Sequence, residues 1–205
     1  PAPGSLAERI YKPLLRPGWH KIIGFAQRTQ GLMVARGNPL GLQSLQDLQR
    51  TGARYVNRAH GTGTRLVLDE LLAQAGLQGS DLRGYESTEP SHSAAALAIA
   101  AGHADAGLGI AVAAHRQGLD FIPLVQENYH LACLKTALDQ PATQALLALL
   151  RTAQWQARLD AMQGYQSRHS GEVLSLREML PWWSFKPRRS GSLRKDGPPA
   201  AAGDS

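Results

Sequence analysis

A glycine-rich loop at a predicted strand-to-helix junction constrains the fold of this chain more than any other stretch. Residues 53–56 read as a short strand, and the apolar residues after position 65 recur at helical spacing up to Gly76. Residues 61–64, Gly-Thr-Gly-Thr, therefore open a helix with free backbone N–H groups, hydroxyls and the positive end of the helix dipole. Such a loop is either an oxyanion site or an ordinary turn in which Thr62 or Thr64 caps the helix.

The same loop lacks the signatures of the common nucleotide-binding motifs. It does not end in Gly-Lys followed by Ser or Thr, as a P-loop does, and its glycine spacing is not that of a dinucleotide site. A Gly-x-Ser-x-Gly elbow is absent, and the seven histidines do not show the His-Glu-x-x-His spacing of zinc enzymes. The sequence therefore predicts a protein that is not an enzyme and that uses neither a metal nor a cofactor.

Predicted strands and helices alternate along the chain, which is typical of an α/β fold with a mostly parallel sheet. Strands are predicted over residues 21–26, 31–35, 53–56, 83–87, 106–110, 121–125 and 130–134. Helices are predicted between Ser44 and Gly52, from the glycine-rich loop to Gly76, from Pro90 to Gly102, and over residues 111–117, 141–151, 152–163 and 173–180.

Five further segments accompany the loop in a fixed order. They are Gln-Gly-Leu-Met-Val-Ala-Arg-Gly-Asn-Pro at 30–39, Glu-Pro-Ser-His-Ser-Ala-Ala-Ala at 89–96, Gly-His-Ala-Asp-Ala-Gly-Leu-Gly at 102–109, Leu-Asp-Phe-Ile-Pro-Leu at 119–124 and Glu-Asn-Tyr-His-Leu at 127–131. The set resembles the type II periplasmic-binding-protein-like domain of molybdate- and tungstate-binding proteins. It is most similar to versions fused behind a helix-turn-helix DNA-binding domain or to a molybdopterin-biosynthesis domain. The resemblance extends over about residues 24–183.

The resemblance implies a two-lobed domain with its ligand between the lobes. Residues 1–37 match part of lobe 1 and the hinge strand, residues 38–128 match lobe 2 with the anion loop, and residues 129–183 match the return strand and the C-terminal helices of lobe 1. Lobe 2 is expected to be complete, and lobe 1 to lack its opening strands and helices. The chain is then a fragment or truncated product, or it takes the missing part from another chain. Weak molybdate binding by this chain alone is therefore expected.

The resemblance also places the starts of two helices at the cleft, where both offer hydrogen-bond donors. Arg65 either clamps the anion or pairs with Asp69, four residues along the helix. His92 either donates to the ligand or caps its helix, and Tyr129 reaches the ligand, locks the hinge or packs in the core. Arg58 is predicted to be a surface residue or a support behind the ligand contacts. The predicted oxyanion-binding residues are Thr62, Gly63, Thr64, Arg65, Ser91, His92 and Tyr129.

Composition bounds the class of protein without deciding its function. The hydrophobic content of 43% is normal for a globular protein, and the single cysteine, Cys133, excludes an internal disulfide. No apolar run reaches transmembrane length and no signal-peptide pattern opens the chain. A cytoplasmic location is expected, or a periplasmic one if a signal peptide was removed. Part of the net charge of +6 lies in residues 184–205, a basic tail predicted to be disordered.

These observations predict noncatalytic binding or sensing of a small oxyanion, molybdate or tungstate, by the ligand-sensing part of a bacterial transcriptional regulator. No helix-turn-helix is identifiable, so DNA binding belongs to a fused or separate domain; an oligomer is compatible with the sequence. The alternatives are a solute-binding receptor of an oxyanion ABC transporter, a phosphate-ester-binding enzyme of similar fold, and a remnant without a ligand.

Overall fold

Strands and helices alternate through most of the computed structural model, which describes residues 8–9 and 12–179. The strands are β1 His20–Val34, β2 Asn57–Arg58, β3 Thr88–Glu89, β4 Ala106–Ile110, β5 Asp120–Leu134, β6 Tyr165–Gln166 and β7 Val173–Ser175. The helices are α1 Leu45–Thr51, α2 Gly63–Gln74, α3 His92–Ala100, α4 Ala111–Arg116, α5 Pro141–Leu150, α6 Ala153–Asp160 and α7 Leu176–Met179. Short 3-10 turns are formed by Gly79–Asp81 and Lys135–Ala137.

The strands β1 and β5 contain 15 residues each and run antiparallel along their whole length. The sequence predicted two separate strands in each of these regions, and that division is wrong. Polar residues near the middle of each strand looked like a break between two apolar stretches. They instead pair with one another across the two strands, as Gln27 does with Asn128 and Arg28 with Glu127.

The main sheet has the strand order β4-β1-β5, and β6 and β7 also pair with β1. All of these ladders are antiparallel, whereas β2 and β3 pair in parallel and Tyr55 forms a parallel bridge with Ala106. The α/β fold class is confirmed, but the prediction of a mostly parallel sheet is wrong. Alternation of strands and helices along the chain indicates parallel pairing only for two strands that are joined by one helical crossover, as β2 and β3 are. It does not apply to β1 and β5, which cross the molecule in opposite directions.

Apolar residues of β1 alternate between two cores, one on each face of the sheet. Leu32 and Val34 pack with residues of α1 and α2, and Met33 between them packs with residues of α3 and α4. This alternation is the period of two expected of a strand that is covered on both faces. Leu32 and Met33 are both 0% exposed, and burying a side chain of this size contributes about 1.5–3 kcal/mol to stability.

A third core lies at the other end of the two long strands. Ile23 packs there with Leu147 and Leu150 of α5, and Phe25, Trp155 and Val173 are packed against them. The division into residues 1–37, 38–128 and 129–183 stays a prediction, and residues 32–34 pack in the same cores as residues of the second segment. The predicted disordered tail, residues 184–205, lies outside the described residues.

Several helix ends lie where the sequence predicted them. Ser44 caps α1 by accepting a hydrogen bond from the backbone N–H of Asp47 at 3.3 Å, and Gly52 follows the helix with a left-handed φ of 64°. Pro141 begins α5, where its missing N–H costs no helical hydrogen bond. Thr152 caps α6 by accepting from the N–H of Trp155 at 3.2 Å.

Other predicted boundaries are displaced by a few residues. The strand predicted at 53–56 is reduced to the bridge at Tyr55, and β2 begins two residues later. The strand predicted at 83–87 is instead a turn that precedes β3, and the helix expected from Pro90 begins at His92. Residues 173–179 form β7 and the short α7 rather than one helix, because residues 173–175 pair with the edge of β1.

Candidate functional site

The starts of α2 and α3 lie at the same edge of the structure because the two strands that precede them are parallel neighbours. Asn57 pairs with Thr88 and Arg58 with Glu89, so β2 and β3 end side by side. Each strand is followed by a short loop and a helix. Crevices at the carboxyl ends of parallel strands are where α/β proteins bind ligands. The first N–H groups of both helices have no partner within the helix, and those that no capping side chain accepts from are available at this edge.

The glycine-rich loop combines the two roles that its sequence allows. Thr62 is the N-cap of α2: its hydroxyl accepts from the N–H of Arg65 at 3.3 Å and donates to the carbonyl of Ala59 at 2.8 Å. Gly61 has a φ of 80°, which a residue with a side chain adopts only with strain. The capping interpretation is therefore confirmed for Thr62, and its hydroxyl proton is already used within the loop. Gly63 is the first residue of α2.

A side-chain contact joins the two helix starts. The hydroxyl oxygen of Thr64 lies 3.4 Å from Nε2 of His92, the first residue of α3. Ser91 caps α3 by accepting from the N–H of Ala94 at 3.0 Å. The sequence therefore correctly predicted that these two loops meet. Binding of an oxyanion by these residues stays a prediction.

Arg58 occupies a position that the sequence did not reveal. Its side chain is only 9% exposed, so it is not a surface residue. Its guanidinium donates to the backbone oxygens of Glu89 at 3.2 Å and Pro90 at 2.9 Å, directly before the start of α3. Within the described part of the chain, no carboxylate lies within ion-pair distance of Arg58. A buried cation without a counterion is unfavourable by itself and favours the binding of an anion beside it.

Arg65 faces the interior instead of the loop. Its side chain is 3% exposed, its guanidinium carbon lies 3.9 Å from the centre of the Tyr85 ring, and its Nε lies 3.4 Å from a carboxylate oxygen of Asp69. That carboxylate accepts a hydrogen bond from the Tyr85 hydroxyl at 2.5 Å. The observed arrangement is the pairing with Asp69, one of the two roles that the sequence left open for Arg65. Contact of Arg65 with an anion stays a prediction.

Tyr129 lies on β5 in a group of residues at the centre of the two long strands. Its ring is 43% exposed and makes an edge contact with Phe25, and the guanidinium of Arg28 lies 4.9 Å from its centre. Arg28 also forms an ion pair with Glu127, whose second oxygen accepts from Gln30 at 2.8 Å. Burial works to lower the pKa of Arg28, but the carboxylate of Glu127 outweighs burial and the pKa is raised.

The positive charges of Arg58 and Arg28 act on the imidazole of His92. Burial, and then the positive charges of Arg58 and Arg28, lower the pKa of His92 from 6.5 to about 4. Burial and the charge of Arg28 also lower the pKa of Arg58. His92 is therefore a neutral hydrogen-bonding group at neutral pH, and the cationic side chains beside it are the two arginines.

The residues that the sequence analysis missed are Arg58, Arg28, Gln30 and Glu127. Arg28 and Gln30 are two positions apart on one strand and therefore point to the same face. This polar alternation in residues 27–30, between the two predicted strands, was the available signal. Among residues 8–9 and 12–179, no three His, Cys, Asp or Glu side chains are placed to hold a metal ion, and no helix is long and apolar enough to cross a membrane.

Comparison with known proteins identifies the family. The profile of the PBP superfamily domain matches residues 4–151. The chain belongs to this family. The PBP-like domain binds small ligands, and its α/β fold is the one predicted from the sequence. The chain is 37% identical, over 75% of its length, to the uncharacterized protein YvgK of Bacillus subtilis (strain 168), and it spans about half of that relative, 49%.

Solved structures show the same PBP-like fold at low sequence identity. L-phospholactate-bound PEB3 superimposes with a TM-score of 0.55 at 16% identity, over 71% of this chain and 68% of that one. The CcmR regulatory domain of Synechocystis PCC6803, in complex with 2-PG, superimposes with a TM-score of 0.52 at 19% identity, over 65% of this chain and 67% of that one. At these identities the comparison shows the fold alone.

Proposed function

We propose that this domain binds a small oxyanion, molybdate or tungstate, at the edge where α2 and α3 begin. The observation that carries the proposal is Arg58, which is 9% exposed and donates to the backbone oxygens of Glu89 and Pro90. Its guanidinium faces the start of α3 without a carboxylate partner among the described residues. An anion at this edge supplies the missing negative charge.

The neighbouring groups suit a tetrahedral anion. The N–H groups at the starts of α2 and α3 and the Thr64 hydroxyl are neutral donors, and both helix dipoles favour a negative charge. A hydrogen bond to a charged acceptor contributes about 1.5–3 kcal/mol. His92 donates from its ring when it carries a proton on the nitrogen that faces the ligand. Of the seven residues predicted from the sequence, we place Gly63, Thr64, Ser91 and His92 in this site, together with Arg58. We leave out Arg65, which pairs with Asp69, and the hydroxyl of Thr62, which donates to Ala59. A contact of Tyr129 with the ligand stays a prediction.

The proposed role is sensing without catalysis, as part of a bacterial transcriptional regulator. DNA binding then belongs to a helix-turn-helix domain, fused or separate. The family supports a ligand-binding role, and the CcmR structure is that of a regulatory domain. A receptor for an oxyanion transporter is the alternative, and it needs the same site. The two roles differ in the partner that reads the ligand-bound state.

A small phosphate ester is the second candidate ligand. The observation that favours it is the second arginine, Arg28, whose charge is felt by both Arg58 and His92. A phosphoryl group matches a tetrahedral oxyanion in shape, and a carboxylate on the same molecule would compete with Glu127 for Arg28. PEB3 and CcmR were solved with L-phospholactate and with 2-PG, so both compounds belong in the titration.

Titration of the purified chain with molybdate, tungstate, sulfate and the two phosphate esters tests the proposal. Calorimetry measures tight binding, and amide chemical shifts extend the measurement to weak binding. We expect Arg58→Met to weaken molybdate binding by about tenfold to a hundredfold, which corresponds to about 1.5–3 kcal/mol. Arg50→Met is the matched control, because Arg50 is an exposed arginine of α1 that pairs with Asp47. Equal binding by both variants would contradict the proposal.

A further inference from the structure

His92 lies at the first position of α3 in a setting that changes when an anion arrives. Thr64 of α2 faces it with a hydroxyl 3.4 Å from Nε2, and Nδ1 is buried without a hydrogen-bond partner. The positive charges of Arg58 of β2 and Arg28 of β1 act on its imidazole. Within the described part of the chain, the histidines that pair with carboxylates are His60 and His169, not His92.

We propose that His92 takes up a proton when a doubly charged anion enters the site, so that binding is coupled to pH. The inference rests on the proposed function of this edge as an anion site. Beyond that function, it specifies that the preferred ligand is a dianion and that its binding depends on pH. A dianion is bound with a proton, whereas a monoanion of the same shape is bound with little or none.

The charges of the residues around His92 explain the coupling. Arg28 and Arg58 bring two positive charges, and Glu127 matches that of Arg28 by pairing with it, while Gln30 also donates to Glu127. The residues therefore leave one positive charge unmatched, and the arginines oppose a proton on His92. A dianion adds two negative charges, which reverses the sign of the field at the imidazole. The second charge is then matched by the proton that His92 gains.

The buried Nδ1 gives the proton a structural use. A neutral imidazole offers one N–H, and the contact with Thr64 is made at Nε2. A protonated imidazole donates from both nitrogens, so His92 can keep Thr64 and also donate from Nδ1 to the ligand or to a water on it. The coupling thereby converts an unsatisfied buried nitrogen into a charge-assisted donor.

Sulfate and perchlorate form a matched pair of probes. Both ions are tetrahedral, and they keep two charges and one charge respectively across the pH range of interest. Ring signals of His92 in NMR spectra report its pKa in the free protein and at saturating concentrations of each ion. We expect sulfate to raise the pKa of His92 by at least about one unit, and perchlorate to raise it by clearly less. Molybdate, measured above about pH 6, should behave as sulfate does.

The affinity for sulfate provides a second readout. If sulfate raises the pKa of His92 from about 4 to about 5, we expect binding to be about fivefold tighter at about pH 4 than at about pH 8, and a larger rise gives a larger ratio. His92→Gln keeps a neutral hydrogen-bonding side chain and should flatten this dependence. His103→Gln is the control, because His103 is an exposed histidine after α3 and should leave the dependence unchanged.

The outcomes distinguish the coupling of binding to protonation of His92 from the existence of the anion site itself. Two results together support the coupling: sulfate raises the pKa of His92, and the pH dependence of sulfate affinity is lost in His92→Gln. Binding of sulfate or molybdate with an unchanged pKa of His92 overturns the coupling and leaves the anion site in place. If neither ion shifts the amide signals of Gly63, Ser91 or His92, the proposed function fails, and the coupling fails with it.

Discussion

Two buried arginines seven positions apart, Arg58 and Arg65, lie in opposite electrostatic surroundings. Arg65 is 3% exposed and has the Tyr85 ring and the Asp69 carboxylate around it. Arg58 is 9% exposed and has two backbone oxygens as partners and no carboxylate among the described residues. From the sequence, Arg65 was predicted either to clamp the anion, because it follows the glycine-rich loop, or to pair with Asp69. In the structure the carboxylate of Asp69, on the same helix, lies 3.4 Å from Arg65, and that of Glu86 lies 4.0 Å from it.

The comparison of Arg58 with Arg65 shows that an arginine does not contact a ligand merely because it lies near the ligand-binding loop. What matters is whether the protein supplies its counterion. An arginine whose carboxylate lies four residues along the same helix is a structural pair, and its removal should affect stability. An arginine held by carbonyl oxygens is fixed in position while its charge stays unmatched, and its removal should affect binding.

The largest expected effect is on stability, from Arg65→Met. This change removes the cation above Tyr85 and leaves Asp69 with only the Tyr85 hydroxyl, and we expect the free energy of unfolding to fall by about 2–3 kcal/mol. Urea unfolding measures it, with Arg50→Met as the exposed control. Molybdate affinity should stay within about threefold. A variant that unfolds normally but no longer binds would place Arg65 back in the site.

The next effect is a loss of stability in acid, caused by the burial of His92 and then by the positive charges of Arg58 and Arg28. The pKa of His92 is about 4 in the folded protein, below its ordinary value of 6.5. Between these values the unfolded chain binds the proton and the folded chain does not, so stability falls as pH falls from 6.5 towards 4. We expect a loss of about 1–3 kcal/mol. His92→Gln should remove this part of the profile, and an identical slope in that variant would contradict the assignment.

Thr64→Val sharpens the comparison at the loop itself. Thr64 is 3% exposed, so valine fits the same space while it loses the hydroxyl that faces His92. We expect molybdate binding to weaken by about threefold to tenfold, or about 0.7–1.4 kcal/mol, with little change in stability. Thr64→Ser keeps the hydroxyl and should bind within about twofold of the original chain. Full binding by Thr64→Val would remove this hydroxyl from the site.

The smallest expected effect is on the stability of Arg58→Met. The change gives up two hydrogen bonds to backbone oxygens but also removes a buried charge without a counterion. These contributions oppose each other, and we expect the free energy of unfolding to change by less than about 1 kcal/mol. The same unfolding measurement as for Arg65→Met checks it. A loss as large as that of Arg65→Met would mean that the two arginines do not differ in kind.

Local rules predicted the ends of helices well because capping needs only neighbouring residues. Ser44, Thr62 and Thr152 each cap the helix that follows, as expected from a hydroxyl placed before a helical pattern. The meeting of residues 61–64 with residues 91–92 was also predictable, because each loop follows a strand and precedes a helix. The expectation that both loops lie at one cleft came from the family resemblance.

The missed features depend on partners far away in the sequence. Continuous pairing of β1 with β5 was hidden by polar residues such as Gln27 and Asn128, whose partner lies across the sheet. The environment of Arg58 is set by the carbonyls of residues 89 and 90, which no local pattern relates to position 58. For Arg65 only part of the environment was predictable. Its partner Asp69 lies four residues away in the sequence, but the Tyr85 ring that packs against its guanidinium does not lie nearby in the sequence.

The pairing of β1 with β5 also sets an order of events during synthesis. Gln27 and Asn128, which hydrogen bond through their side chains, are 101 positions apart. At about 5–20 residues per second, a ribosome needs on the order of 5–20 s to make the chain between them. During that interval β1 is an apolar strand without its longest neighbour, and such a strand is prone to wrong pairings. We therefore expect folding to be slow, limited by the closure of this long loop, and to depend on what protects β1 until β5 emerges.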